Sequence, residues 1–239
     1  PRTRAIIVNS PNNPTGAIYP VETMREIAEV VDRENERREQ TGARPLFLLS
    51  DEPYRAFAFD GAVVAPVMPL TKWACVLGSF SKTLSLAGER VGYFAANPAM
   101  PGQETLMAAV TLTNRTLGYV NAPVIGQRLA AAICNETVDL DIYARRRALM
   151  AKVLTEAGVE FTMPKGAFYL FVDIRSTGMT SEDFTMRLLK DFGVACVPGS
   201  AFGASGEGFV RMSYATSLEN IKLAAERIAG MMREGGFSG

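Results

Sequence analysis

Lys82 is the residue in this sequence best placed to do covalent chemistry. It closes Ser79-Phe80-Ser81-Lys82, directly after the apolar run Ala74-Cys75-Val76-Leu77. A lysine just past a buried strand is partly desolvated, which lowers its pKa and frees the amine for Schiff-base formation with a carbonyl. The hydroxyls of Ser79 and Ser81 are neutral donors suited to a phosphate. Arg90, eight residues after Lys82, carries a guanidinium fork that suits bidentate phosphate binding. Taken alone, S-x-S-K recurs by chance and a surface lysine explains it equally well.

Two further segments offer chemistry at strand ends. Ser50-Asp51-Glu52-Pro53-Tyr54 follows the run Leu46–Leu49. A carboxylate there can keep a ring nitrogen protonated, a charged hydrogen bond of roughly 1.5–3 kcal/mol, and the Tyr54 phenol can donate to a ring oxygen. The alternative is that Asp51 only caps the next turn. Asn9-Ser10-Pro11-Asn12-Asn13-Pro14-Thr15-Gly16 follows Ala5–Val8. Its prolines and glycine fix an irregular loop, with Asn13 held extended by Pro14 and its amide available to a ring oxygen or a carboxylate. A plain turn is the alternative.

The elements that must position these residues alternate between short apolar runs and amphipathic stretches. Runs at 5–8, 46–49, 74–77 and 91–94 are apolar on successive positions, as in strands of a largely parallel sheet covered on both faces. A helix is expected from about Val21 to Glu39, with Met24, Ile27, Ala28 and Val31 on its apolar face. The order strand–helix–strand predicts an α/β fold, whose ligands bind beyond the carboxyl ends of the strands. One long helical tract is expected from about Pro123 to Ala157, carrying Arg145-Arg146-Arg147, which read as a solvated face in preference to a phosphate-binding run. Beyond it the pattern changes to strands at 168–172, 196–197 and 209–212. Helices follow at Ser181–Phe192, capped by Thr180, and at about Ser217–Met232. The predicted organisation is a large α/β domain over residues 1–142 and a smaller α+β domain over 143–239.

Composition narrows the function classes. The 239 residues balance 25 Lys plus Arg against 25 Asp plus Glu, so no global charge points to nucleic acid or to a membrane surface. No apolar run reaches the roughly 20 residues that span a bilayer. The absence of histidine excludes Ser–His and Cys–His hydrolases and His-ligated metal sites within this chain. Cys75, Cys134 and Cys196 are far apart and read as reduced, mostly buried thiols of a cytoplasmic protein.

Together, N-N-P-T-G, D-E-P-Y, S-F-S-K and the arginine eight residues later resemble the class I/II aminotransferases. These are fold type I enzymes dependent on pyridoxal 5'-phosphate (PLP). Gly166–Phe171, Pro198–Gly203 and Val210–Tyr214 resemble the same family. The resemblance implies that Lys82 forms the internal aldimine and shuttles the proton, and that Asp51 pairs with the pyridinium nitrogen. It implies further that Tyr54 and Asn13 bind the ring hydroxyl, that Ser79, Ser81 and Arg90 hold the phosphate, and that Arg211 clamps the substrate's α-carboxylate. Asn13 also faces the substrate.

The implied partners are an amino acid, a 2-oxo acid and a second copy in a homodimer, with no nucleic acid and no membrane. The family's lysine lies past the middle of its chain and Lys82 only a third of the way in, so the N-terminal part of the fold is expected to be missing and turnover by this chain weak or nil. Carbon–sulfur lyase chemistry, or an aminotransferase-like effector domain of a transcription regulator, would use a similar residue set. Arg115 reads as a surface arginine in preference to the arginine that some dicarboxylate-specific relatives extend to the neighbouring subunit's substrate, and Phe168, Tyr169 and Phe202 as core rings or as a wall for an aromatic substrate.

Overall fold

The computed structural model describes residues 2–235. The chain forms two compact units, one from the segment up to Pro11 with Ile18–Val138, the other from Asn12–Ala17 with the chain from Asp139 onward.

The first unit is built on β1 (Ala5–Asn9), β2 (Phe47–Asp51), β3 (Ala74–Ser79) and β4 (Gly92–Ala96), in that order across the sheet. β1, β2 and β3 run parallel and β4 antiparallel. Asn9 lies opposite Asp51, and Asp51 opposite Leu77, so the carboxyl ends of the parallel strands share one edge. Val8, Leu48 and Ala74 bury one face against Met24, Ala28 and Val31 of α1 (Val21–Thr41), at helical spacing as expected. Two buried polar groups tie α1 to the strand that follows. Asn35 donates to the Leu46 carbonyl and accepts from its N–H, and Arg38 pairs with Glu34 while donating to the Thr3 and Arg44 carbonyls.

The expectation of strands covered on both faces fails at the edge. Cys75, Leu49 and Ile7 share the second face, and exposure rises from 0% at Cys75, through half-buried Leu49, to 70% at Ile7. Among the described residues, β1 has a strand partner on one side only.

The sequence reading also missed α3 (Gln103–Thr116). None of its residues is buried, so no sharp apolar stripe announces it. The single tract expected over 123–157 is instead two helices, α4 (Val124–Ile133) and α5 (Leu140–Glu156). Asp139 starts the second by accepting from the N–H groups of Asp141 and Ile142, and Val138 donates its N–H to Thr83. A capping carboxylate outcompetes helix propagation at that point.

The second unit is an antiparallel sheet in the order β5-β6-β8-β7, with β5 Glu160–Phe161, β6 Tyr169–Asp173, β7 Val197–Pro198 and β8 Phe209–Ser213. α5, α6 (Ser181–Phe192) and α7 (Leu218–Glu234) complete it, with Leu154, Leu170, Phe184, Leu188, Ile228 and Met231 deeply buried. α6 begins at Thr180, whose side chain accepts from the Asp183 N–H, and ends at Gly193, both as expected. The triple arginine is not a solvated face throughout: Arg147 is buried and donates to the Pro164 carbonyl, and Arg146 lies over the Tyr143 ring.

Asn12–Ala17 belongs to this unit because Lys165 and Gly166 donate their N–H groups to the Gly16 carbonyl. Gly16 has φ +67, and a Cβ there would lie 2.3 Å from Cβ of Pro164. Its position therefore requires glycine on both counts.

All three cysteines are free. Cys75 is buried and Cys196 half-buried, but Cys134 is exposed, against the expectation for it. Among the described residues no helix is long and apolar enough to cross a membrane.

Candidate active site

In the first unit the carboxyl edge of the sheet presents Asp51 half-buried at the end of β2. Asn9, one strand over, donates through Nδ2 to Asp51 Oδ2 at 3.1 Å and to the Asp51 carbonyl at 3.0 Å. The carboxylate is thus held by its neighbouring strand, not used as a turn cap. Burial pushes its pKa above the ordinary carboxylate value; the Asn9 hydrogen bond works against that shift, and the nearby Glu52 adds to it. A half-buried carboxylate in that state gains most from a cationic N–H donor, which restores its charged form. Glu52 is already engaged by the Ser50 hydroxyl and by Arg55, both at 2.7 Å. Tyr54 is buried and packs edge-on against Phe57.

β3 runs into the single-turn helix α2 (Phe80–Thr83), which carries Lys82 half-buried. Ser79 caps the turn by accepting from the Ser81 N–H, so both predicted serines help to shape the main chain around Lys82. The Phe80 N–H donates to the Val91 carbonyl and fastens this turn to the segment that bears Arg90. Arg90 is exposed, with φ +54, and donates to the Ala87 carbonyl at 2.9 Å. A left-handed backbone costs a non-glycine residue roughly 1–2 kcal/mol, and such outliers gather where a side chain must be aimed. Six of the predicted residues thus lie at the end of β2 or β3 or in the segments that follow them, with Asn9 added from the end of β1.

The second unit brings together the two predicted residues that remain. Arg211 on β8 donates through Nη1 to Asn13 Oδ1 at 2.8 Å, bridging 198 positions of sequence. Its guanidinium lies 4.4 Å from the ring centre of Tyr169 and 5.1 Å from that of Phe202. Its Nε is buried with no hydrogen-bond partner. A buried donor left in that state favours an arriving carboxylate, which takes two parallel hydrogen bonds from one guanidinium edge. The Phe202 loop is held by Glu207, whose carboxylate accepts from the Ser181 N–H and hydroxyl at 2.7 and 2.8 Å. Those two donors, the backbone one foremost, keep the Glu207 carboxyl below its ordinary range.

Asn9 and the Phe202 loop staple escaped the sequence reading. Asn9 ends an apolar strand and looks like a loop residue until the parallel register sets it beside Asp51. Tyr169 and Phe202 were open between core and substrate wall, and both contact the arginine. The donor set accommodates an anionic, ring-shaped ligand in the first unit: a carboxylate for a ring N–H, a phenol, an amine, hydroxyls and a guanidinium. The second unit offers a guanidinium whose buried Nε is left without a hydrogen-bond partner.

The chain matches the family model for aminotransferase class I and II over residues 1–228. It is 35% identical to aromatic-amino-acid aminotransferase 2 of Thermococcus litoralis and 34% identical to an aspartate aminotransferase of Pyrococcus abyssi. Each match covers 98% of this chain and 58% of the relative. The crystal structure titled Pyrococcus protein-A1 superposes with a TM-score of 0.84 at 34% identity, covering 99% of this chain and 59% of that one. The chain therefore spans a little under three-fifths of the length of the relatives it matches.

Proposed function

Because the chain belongs to the class I and II aminotransferase family, with the fold type I architecture of its structural neighbours, we propose that it serves a PLP-dependent transfer of an amino group between an amino acid and a 2-oxo acid. The observation that carries this reading is the Asn9-supported, half-buried Asp51 at the same sheet edge as the Ser79–Lys82 turn. When bound, PLP supplies an electron sink that lets the substrate's α-carbon give up its proton.

The chain's own residues do the rest. Lys82 Nζ holds the cofactor and then carries the proton on its amine. Asp51, paired with the ring nitrogen, keeps that nitrogen protonated; the pairing removes the cost of a half-buried bare carboxylate. Tyr54 donates its phenol to the ring hydroxyl, with Asn13 as a second donor. Ser79, Ser81 and Arg90 take the phosphate. Arg211 grips the substrate carboxylate with Nε and a second N–H, and Asn13 holds the guanidinium in the orientation that presents them.

The relatives named for aromatic amino acids and for aspartate lie at almost the same identity, and the proposed substrate class is accordingly amino acids carrying a free α-carboxylate. We assign the protein to the cytoplasm and to a homodimer. Support for the second copy comes from the run Leu112, Leu117, Tyr119, Val124, Ile125 and Leu129, all exposed by 40% or more.

Absorbance titration tests the reading. PLP added to the chain is expected to give a band in the near-ultraviolet to blue that Lys82→Ala abolishes, and an amino acid is expected to convert that band while releasing a 2-oxo acid. No Lys82-dependent band would overturn the proposal, and release of pyruvate with ammonia would replace transfer by elimination.

A further inference from the structure

Gly126 lies inside α4, is buried, and sits four residues before a run of three alanines. Glycine weakens a helix interior relative to alanine, so this position calls for a physical reason. The packing supplies one. A Cβ on Gly126 would meet Val91 Cγ2 at 2.7 Å and both Cβ and the carbonyl oxygen of Glu89 at 3.0 Å. Glu89 and Val91 are the neighbours on either side of Arg90, the residue in the left-handed conformation. Val91 is itself buried, and its carbonyl accepts the Phe80 N–H at the start of the Lys82 turn. Beyond the far end of α4, the Val138 N–H donates to the Thr83 carbonyl on the same turn.

We infer that Gly126 is a positioning residue for phosphate binding: its missing side chain lets α4 seat against Glu89 and Val91, and that seat sets where Arg90 is aimed relative to the Lys82 turn. The inference rests on the reading of Arg90 as a phosphate ligand and deepens it by naming what holds the arginine. A methyl group here must lift the Glu89–Val91 segment, because two of the three atoms it meets are a backbone carbonyl and a Cβ, and neither can rotate away. The short Val91 side chain has little more freedom.

The experiment compares two ligands that differ only in the phosphate. PLP and pyridoxal are titrated against the 239-residue chain and its Gly126→Ala variant, reading the Lys82-dependent band. PLP affinity is expected to fall about tenfold, the loss of roughly one charged hydrogen bond, while pyridoxal affinity stays within about twofold. Val91→Ala in the Gly126→Ala background removes the nearest clash and should restore most of the PLP preference. If Gly126→Ala does not fold, Val91→Leu, which thickens the other side of the same contact, is read in its place with the same outcomes expected. Equal weakening of both ligands, or no weakening of either, overturns the inference. A parental chain with no Lys82-dependent band overturns the underlying reading and this inference with it. A band with an unchanged ligand ratio overturns the inference alone.

Discussion

The two units hold their functional groups by different means. In the first, placement is set mainly by main chain: Asp51 by its strand register with the Asn9 amide beside it, Lys82 by a capped turn, Arg90 by a left-handed backbone. In the second, Arg211 is placed by side chains, between two aromatic rings and against the Asn13 amide. On the proposed reading the first set holds a resident ligand, and such groups can be fixed by backbone because that ligand does not leave. A clamp for a substrate that comes and goes is better built from rings and an amide that adjust at small cost while still excluding water.

The division predicts that damage on one side leaves the other side's binding intact. Arg211→Ala is expected to lower kcat/KM for every amino acid by about 10²–10³-fold, the loss of a buried charged pair, with PLP affinity unchanged. Stopped-flow half-reactions beside PLP titrations check it, and a parallel fall in PLP affinity would break the division.

Gly16→Ala comes next. It combines a positive φ with a Cβ 2.3 Å from that of Pro164, and about 2–3 kcal/mol of stability should be lost in urea unfolding. The Asn13–Arg211 contact should loosen with it, seen as a raised KM.

Phe202→Ala removes one ring from Arg211, worth about 0.5–1 kcal/mol at a half-open site. That corresponds to a few-fold rise in KM with kcat held, and an equal change in kcat would show that the ring also serves the chemistry.

The smallest effect concerns Asp51, whose folded-state pKa lies above its ordinary value. A raised carboxyl pKa means that the charged form costs stability at pH above that pKa, and that the cost vanishes as pH falls through it. Asp51→Asn should therefore make the PLP-free chain slightly more stable at neutral pH, with the gain disappearing toward acid pH. Thermal melts across pH read the sign, and a gain that grew on acidification would refute the burial account. Asn9→Ala should move the Asp51 midpoint further upward in a carboxyl-resolved NMR titration, because it removes the one hydrogen bond that opposes the shift.

Local chemistry made much of this legible. Thr180 and Gly193 bracket α6 because a capping hydroxyl and a stop residue act within one turn. The apolar spacing of Met24, Ala28 and Val31 reports α1 for the same reason. Where the signal weakened, the reading failed. α3 buries none of its residues, and the break at Asp139 depends on a cap embedded in a stretch that otherwise looks continuously helical. Arg147 looks solvent-facing in the sequence because nothing in its neighbours announces the Pro164 carbonyl that it reaches.

By itself, the sequence determined which residue types stand near the strand ends, and in what order: Asn13, Asp51, Tyr54, Ser79, Lys82 and Arg90, with Arg211 within a later strand. Such features depend on short-range patterning and on motifs. Only the tertiary structure decided that Asn9 is the partner of Asp51, that Asn13 belongs with Arg211 and not with the strand it follows, and that Gly126 seats the Arg90 segment. Each of these rests on a contact between residues about 40 to 200 positions apart, or on a space that only a missing side chain leaves. Sequence spacing carries no record of such distances until the chain has folded.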